Sequence, residues 1–262
     1  MPRISVEDLS FSYSDRQVLH EITFSVDAGE VLGLVGPNGC GKTTLIRCID
    51  GMLSSDGGRV MLEGVDLGTM HRREVARALA YVPQSVGNQT TSTVFETILM
   101  GRRPYLNWTV SPTDEERVIE ALDLLDLGGL ALRKVRELSG GERQRVMIAR
   151  ALVQETGAIL LDEPTSNLDL HHQMAAMEVL CNLAEEKGLA IVIALHDLNL
   201  AAIYCHRLLV MKAGRVYSYG EPGDVLTPGM LRSVYGIEAV VKQDLPAPYV
   251  VPVKSGQKWK GV

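Results

Sequence analysis

Val31-Leu32-Gly33-Leu34-Val35-Gly36-Pro37-Asn38-Gly39-Cys40-Gly41-Lys42-Thr43 decides how the rest of this sequence is read. A short apolar run enters a glycine-rich turn, and helical character begins near Gly41, the form of a buried strand feeding a helix through a tight loop. Residues 36–43 fit the spacing G-x-x-x-x-G-K-[ST]. In that spacing glycines let backbone N–H groups turn inward on phosphates, Lys42 supplies a cation, and Thr43 offers a hydroxyl to magnesium. The positive end of the following helix's dipole falls at the same place and adds attraction for an anion.

Working outward, Ala158-Ile159-Leu160-Leu161 and Ala190-Ile191-Val192-Ile193-Ala194 are two more short apolar runs separated by helical pattern. The rhythm predicts an α/β fold with a largely parallel sheet. The first of these runs ends in Asp162-Glu163, which puts two carboxylates at a strand end. Asp162 is expected to hold magnesium through water, and Glu163 to polarise the water that attacks a terminal phosphate. Residues 4–26 alternate better and carry turn residues at Ser14-Asp15-Arg16, as an antiparallel hairpin would. Between Gln84 and Ser139 the pattern turns helical: first Val94 to Met100, then a segment opened by Ser111-Pro112 with Val118, Ile119, Leu122 and Leu125 expected on one face. Near the end, Thr227-Pro228 reads as an N-cap and first helical residue, with Leu231 and Val234 buried. Pro246, Pro248 and Pro252 among valines predict short edge strands after it.

Lys and Arg total 26 against 32 Asp and Glu, a formal charge of −6, which disfavours docking on phosphate backbones and argues against nucleic acid as a main partner. Cys40, Cys48, Cys181 and Cys205 show no C-x-x-C spacing, and a chain of 262 residues needs no disulfide staples, so a reducing compartment is expected. Residues 1–25 lack the basic start and apolar stretch of a secretory signal. The most apolar run, residues 189–195, is far short of the roughly 20 residues that cross a bilayer, so a membrane role would require other subunits.

Leu138-Ser139-Gly140-Gly141-Glu142 precedes a helix with Val146, Ala149 and Val153 on one face, and Ser139 and Glu142 have capping-box spacing. Glycines in a first turn cost roughly 1 kcal/mol each relative to alanine, so bare backbone at this tip is read as serving close approach to a second phosphate group. With the phosphate loop, this motif and the acidic strand in that order, the sequence resembles the nucleotide-binding subunit of an ABC transporter over almost its whole length.

The resemblance implies a P-loop NTPase core of the ABC ATPase type with an N-terminal antiparallel β-subdomain and an inserted helical subdomain. It divides the chain at 1–86, 87–140, 141–240 and a C-terminal extension, 241–262. It implies ATP and Mg2+ as cofactors and a homodimer with two ATP molecules between the copies. In that arrangement Gly36, Pro37, Asn38, Gly39, Cys40, Gly41, Lys42, Thr43 and Thr44 of one chain hold the nucleotide. Ser139, Gly140, Gly141 and Glu142 of the other complete the site. Tyr13 resembles the aromatic that stacks on adenine, Gln84 the glutamine that reaches magnesium and water, His196 the switch histidine at the γ-phosphate, and Asp169 the aspartate that reaches across the dimer. Asn167 stands where alanine is more common, and Cys40 where serine is; at a helix start Cys40 reads either as a thiol sensitive to thiol reagents or as a shielded, inert one.

Gly101-Arg102-Arg103-Pro104-Tyr105-Leu106-Asn107-Trp108 combines arginines with large aromatics, a composition that fits a protein contact facing a membrane partner and equally local packing within a small helical subdomain. Together with Asp169-Leu170-His171-His172-Gln173, residues 196–202 and residues 224–228, it resembles the importers of iron chelates, haem and cobalamin. The resemblance then implies two membrane permease subunits, an indirect extracytoplasmic binding protein, and a place at the cytoplasmic membrane face. Molybdate import, an exporter ATPase and a soluble ABC protein are the alternatives.

Overall fold

The computed structural model describes residues 2–84, 91–105, 109–166 and 168–255. Five strands form a parallel set: β3 (Val31–Val35), β6 (Leu79–Val82), β7 (Ala158–Asp162), β8 (Ala190–Ala194) and β9 (Arg207–Lys212). Antiparallel β10 (Arg215–Gly220) closes one edge, and the order across the sheet is β10-β9-β3-β8-β7-β6. Both faces are covered, which is why these strands read as unbroken apolar runs. Val31, Val35, Ile159, Leu161, Ile191 and Ile193 join the core on one face. Leu32, Leu34, Ala158, Leu160, Ala190 and Val192 join the core on the other, as alternate side chains of a strand must.

The second core is capped by an antiparallel sheet of β2 (Arg16–Val26), β1 (Ile4–Tyr13), β4 (Gly57–Leu62) and β5 (Val65–Asp66), in that order. Between the two sheets runs α1 (Lys42–Ile49), whose Leu45, Ile46 and Ile49 are fully buried. The first core is covered by α5 (Gly140–Leu152), α6 (Leu170–Lys187) and α7 (Leu198–Tyr204), with α3 (Val94–Leu99) and α4 (Pro112–Leu124) packed on α5. Thr93 and Ser111 cap α3 and α4 with capping boxes to Glu96 and Asp114, and of the two starts that at Ser111 was read in the sequence. Among the described residues no helix is long and apolar enough to cross a membrane.

Three readings of the sequence change here. Val118, Leu122 and Leu125 are buried, but Ile119 is 51% exposed. Residues 118, 122 and 125 follow the i, i+4, i+7 stripe, and position 119 stands about 100° away from it, given 3.6 residues per turn. The divisions at 140/141 and 240/241 fall inside elements. The first cuts α5, and the second cuts β11 (Ile237–Lys242), which pairs with β12 (Tyr249–Ser255) as one terminal hairpin. Thr227 does cap a helix, Pro228–Met230, but it loosens after one turn into a π-turn over Leu231–Tyr235 that leads to the hairpin. Leu106, Asn107, Trp108 and Asn167, singled out in the sequence, lie outside the described residues.

What ties the helical part to the sheet is a buried charge cluster. The Arg102 guanidinium donates to Asp114 (2.9 Å), to the carbonyl of Val153 (2.7 Å) and to Glu155 (2.6 Å). Only 7% of its side chain and 9% of that of Asp114 are exposed. Truncating one partner of such a pair strands the other charge without water, which costs about 3 kcal/mol or more. Arg102→Ala is therefore expected to lower the free energy of urea unfolding by about 3 kcal/mol, whereas Arg59→Ala, on the exposed Glu7 pair away from this cluster, leaves it nearly unchanged.

Candidate functional site

Parallel pairing sets the level of the site. Leu34 of β3 lies beside Ala194 of β8, and Ala194 beside Asp162 of β7. The chains that leave these three strands, at Gly36, His196 and Glu163, therefore emerge side by side. They frame an open cleft of about 320 Å³ lined by Val18, Asn38, Gly39, Gly41, Lys42, Thr43, Thr44, Gln84, Glu163 and His196. Of these, only Val18 was not anticipated; nothing in an alternating strand marks a valine as lining a cleft at the far end of its sheet.

The loop itself depends on two glycines. Gly36 has φ +151°, and a Cβ on it would stand 2.4 Å from the carbonyl oxygen of Met211. Gly41 has φ +108°, and a Cβ there would meet Leu19 at 2.9 Å. The loop thus folds over its own strand so tightly that Lys42, 5% exposed, reaches back to donate to the carbonyls of Gly36 (2.8 Å) and Pro37 (3.4 Å). This places the ammonium at the centre of a ring of backbone, where an anion lying in the loop would meet it.

The two acids divide. Asp162 is 2% exposed and accepts from the Thr43 hydroxyl at 3.1 Å. Burial pushes its carboxyl above the usual carboxylate range, and the Thr43 hydrogen bond holds it back in part. Glu163 has φ +50°, a left-handed conformation that turns its side chain away from the strand's alternation and into the cleft. There Gln84 donates to one carboxylate oxygen at 2.5 Å, and Nε2 of His196 meets the other. A carboxylate held at both oxygens in this way has a fixed direction and retains lone pairs for a water molecule.

The remaining sequence-derived residues do not line this cleft. Ser139 caps α5, accepting from the backbone of Glu142 (3.2 Å), while the Glu142 carboxylate accepts from the backbone of Ser139 (2.7 Å), which holds that carboxyl below its ordinary value. A Cβ on Gly141 would lie 3.3 Å from Leu168, so the α5 tip adjoins the turn before α6. Asp169 caps α6 by accepting from the backbone of His172 at 3.0 Å, and this bond lowers its pKa. Gly140 lies in the same exposed tip. Tyr13 is 44% exposed at the end of β1, its ring edge-on to Phe11 at 4.8 Å. One chain therefore carries a phosphate cradle with its acids at one place and a bare, capped helix tip at another.

The sequence from residue 19 to 166 matches the family model described as ABC transporter. The chain is 40% identical to the petrobactin import ATP-binding protein FpuC of Bacillus anthracis, over 97% of this chain and 94% of that protein. It is 41% identical to the hemin import ATP-binding protein HmuV of Pseudomonas putida, over 91% of this chain and 94% of that one. Among solved structures it superposes with a TM-score of 0.84 on a transporter described as of metal-chelate type, in an inward-facing conformation. That likeness comes at 29% identity and covers 96% of this chain and 97% of the other.

Of the two readings of Cys40, the structure supports the shielded one. Its side chain is 3% exposed, and its sulfur points under the loop, 2.8 Å from where a Cβ of Gly36 would be. Burial raises its pKa above the ordinary thiol value, and the Lys42 charge offsets this only in part. In native protein treated with iodoacetamide at neutral pH, Cys40 is expected to be alkylated on the order of 100-fold more slowly than in urea-unfolded protein, as residue-resolved mass spectrometry would read.

Proposed function

The chain belongs to the ABC transporter family as an ATP-binding subunit with ATPase activity, and on that basis we propose that it drives import of a metal chelate through a membrane permease. The observation that carries the catalytic part is the Glu163 carboxylate, held by Gln84 and His196 at the rim of a cradle whose floor is Lys42. The kinship with petrobactin and hemin import proteins across almost the full length supports an iron chelate, haem or a similarly large metal complex as cargo.

In this reading the loop backbone of Gly36 to Gly41 and the Lys42 ammonium bind the β- and γ-phosphates of ATP. Thr44 extends the contact to the α-phosphate side, and Tyr13 stacks on adenine. Glu163 accepts a proton from the attacking water as its oxygen bonds to the γ-phosphorus and the bond to the β-phosphate oxygen breaks, leaving ADP and inorganic phosphate. Gln84 and His196 keep that water and carboxylate in line.

The donors present suit Mg2+. Thr43 and Asp162 put a hydroxyl and a buried carboxylate oxygen 3.1 Å apart, and Gln84 adds an amide. Among the described residues no group of three or more His, Cys, Asp or Glu could hold an ion alone. Phosphate oxygens and water are thus the remaining ligands, as is usual for this cation. When bound, Mg2+ neutralises charge that develops on the β- and γ-phosphates, and it would also offset the cost of keeping Asp162 ionised out of water.

A second copy completes each site. The exposed tip Ser139-Gly140-Gly141-Glu142 of one chain meets the γ-phosphate held by Lys42 of the other, and Asp169 lies beside the seam. ATP at about 100 times its Kd adds roughly 2.7 kcal/mol of closure per site, on the order of 5 kcal/mol for two. Hydrolysis removes the bridge. We assign one such dimer to two permease subunits at the cytoplasmic membrane face, with an extracytoplasmic binding protein delivering cargo.

Two substitutions separate binding from chemistry. Glu163→Gln is expected to keep ATP affinity, lower turnover by about 10²- to 10⁴-fold, and accumulate an ATP-dependent dimer in size-exclusion chromatography. Lys42→Ala is expected to weaken ATP binding by at least about tenfold in equilibrium dialysis. Wild-type hydrolysis in the first variant, or wild-type affinity in the second, contradicts the assignment.

A further inference from the structure

The terminal hairpin is joined to the catalytic cleft by one side chain. Asn199, in the first turn of α7, accepts from the backbone N–H of Val250 at 2.7 Å and donates to its carbonyl at 3.3 Å. Val250 sits in β12 opposite Val241 of β11, and both of its backbone groups are taken up by this amide. The Asn199 side chain therefore occupies the place of a third strand beside the hairpin. Val250 is the one residue of β12 that is buried, at 6% exposed, and it joins the core beneath α7.

The same end of α7 borders the cleft. Asp197 caps the helix by accepting from the backbone N–H groups of Asn199 (2.8 Å) and Leu200 (3.0 Å). His196 directly precedes that cap, and its Nε2 meets Glu163. The imidazole is 42% exposed, so little packing fixes it, and its direction depends on how the N-terminus of α7 is held. The same terminal segment also touches the phosphate loop. Tyr235, in the π-turn before β11, has a buried hydroxyl facing the Gly36 backbone and Cys40, with no hydrogen bond of good geometry.

We propose that Asn199 is a positioning residue: by clamping the backbone of Val250 it lets the terminal hairpin set the orientation of His196 toward Glu163. The path is short and continuous, from hairpin to Asn199 amide, to the Asp197 cap, to His196. A hairpin that lifts away frees the first turn of α7 and lets the imidazole leave the carboxylate. This rests on the reading of His196 as part of the hydrolytic site.

The test uses the purified full chain with Mg2+ and ATP. Asn199→Ala is expected to lower kcat on the order of tenfold, the scale of a misdirected catalytic group, with the KM for ATP within about twofold of wild type. It is also expected to shift the imidazole NMR signals of His196. Asn199→Asp keeps the acceptor for Val250 and loses the donor, so it should recover part of the rate. Gln243→Ala breaks only the hairpin's bond to the carbonyl of Gly223 and should leave rate and signals as in wild type. Should Asn199→Ala not fold, Val250→Pro removes the donated N–H from the other side and gives the same readout. Unchanged kcat in Asn199→Ala with a collapsed rate in His196→Ala overturns the positioning role alone, as does an equal effect of Gln243→Ala. Unchanged kcat in His196→Ala instead overturns the reading of the site on which it rests.

Discussion

Parallel strand register is the constraint on which the site depends. With Leu34, Ala194 and Asp162 in one row, adjacent strands about 4.8 Å apart deliver the glycine-rich loop, His196 and Glu163 to one edge of the sheet. A slip of one residue in β7 would exchange the faces of Leu160 and Leu161 and send Asp162 away from Thr43. The slip is blocked because both faces are buried: Ile159 and Leu161 belong to one core, Ala158 and Leu160 to the other. The apolar runs that stabilise the fold thus also fix the catalytic register.

The same logic explains what could be read from the sequence. Local signals were enough for the loop, the strand runs around it and the helix starts at Ser111 and Ser139, because each lies within a few residues of what it organises. The roles of Gln84, His196 and Tyr13 came only with a family resemblance, since the structure brings Glu163 and Gln84 together across 79 positions of chain. Cys40 stayed open between two readings because its neighbourhood on the chain, a helix start, favours a thiolate, whereas its neighbourhood in space, the underside of Gly36, buries it. Asn199 left no trace, for its partner Val250 is recognised through backbone atoms, which carry no side-chain signal.

In the proposed dimer, the split between cradle and helix tip makes each site depend on a second copy. Bare glycines in the first turn of α5 weaken the helix by roughly 1 kcal/mol each. The Ser139–Glu142 capping box recovers some of this by satisfying two backbone donors. What remains is a rigid, exposed row of N–H groups at a positive dipole end, about 100 residues along the chain from Lys42 and absent from its cleft. A net charge of −6 would push two copies apart. In the proposed dimer, association then requires a ligand whose negative charge is met by donors from both sides.

Glu163 shows why such a site resists optimisation for stability. Consecutive strand residues point to opposite faces, yet the chemistry needs Asp162 beside Thr43 and Glu163 in the same cleft. The chain resolves this by putting Glu163 at φ +50°, a conformation that disfavours any residue with a Cβ. Glycine at that position would relax the backbone and remove the carboxylate. A regular strand would keep the carboxylate and turn it away from Gln84 and His196. The two contacts on its oxygens hold the strained turn in place, so backbone strain and the direction of the carboxylate are sustained by the same interactions.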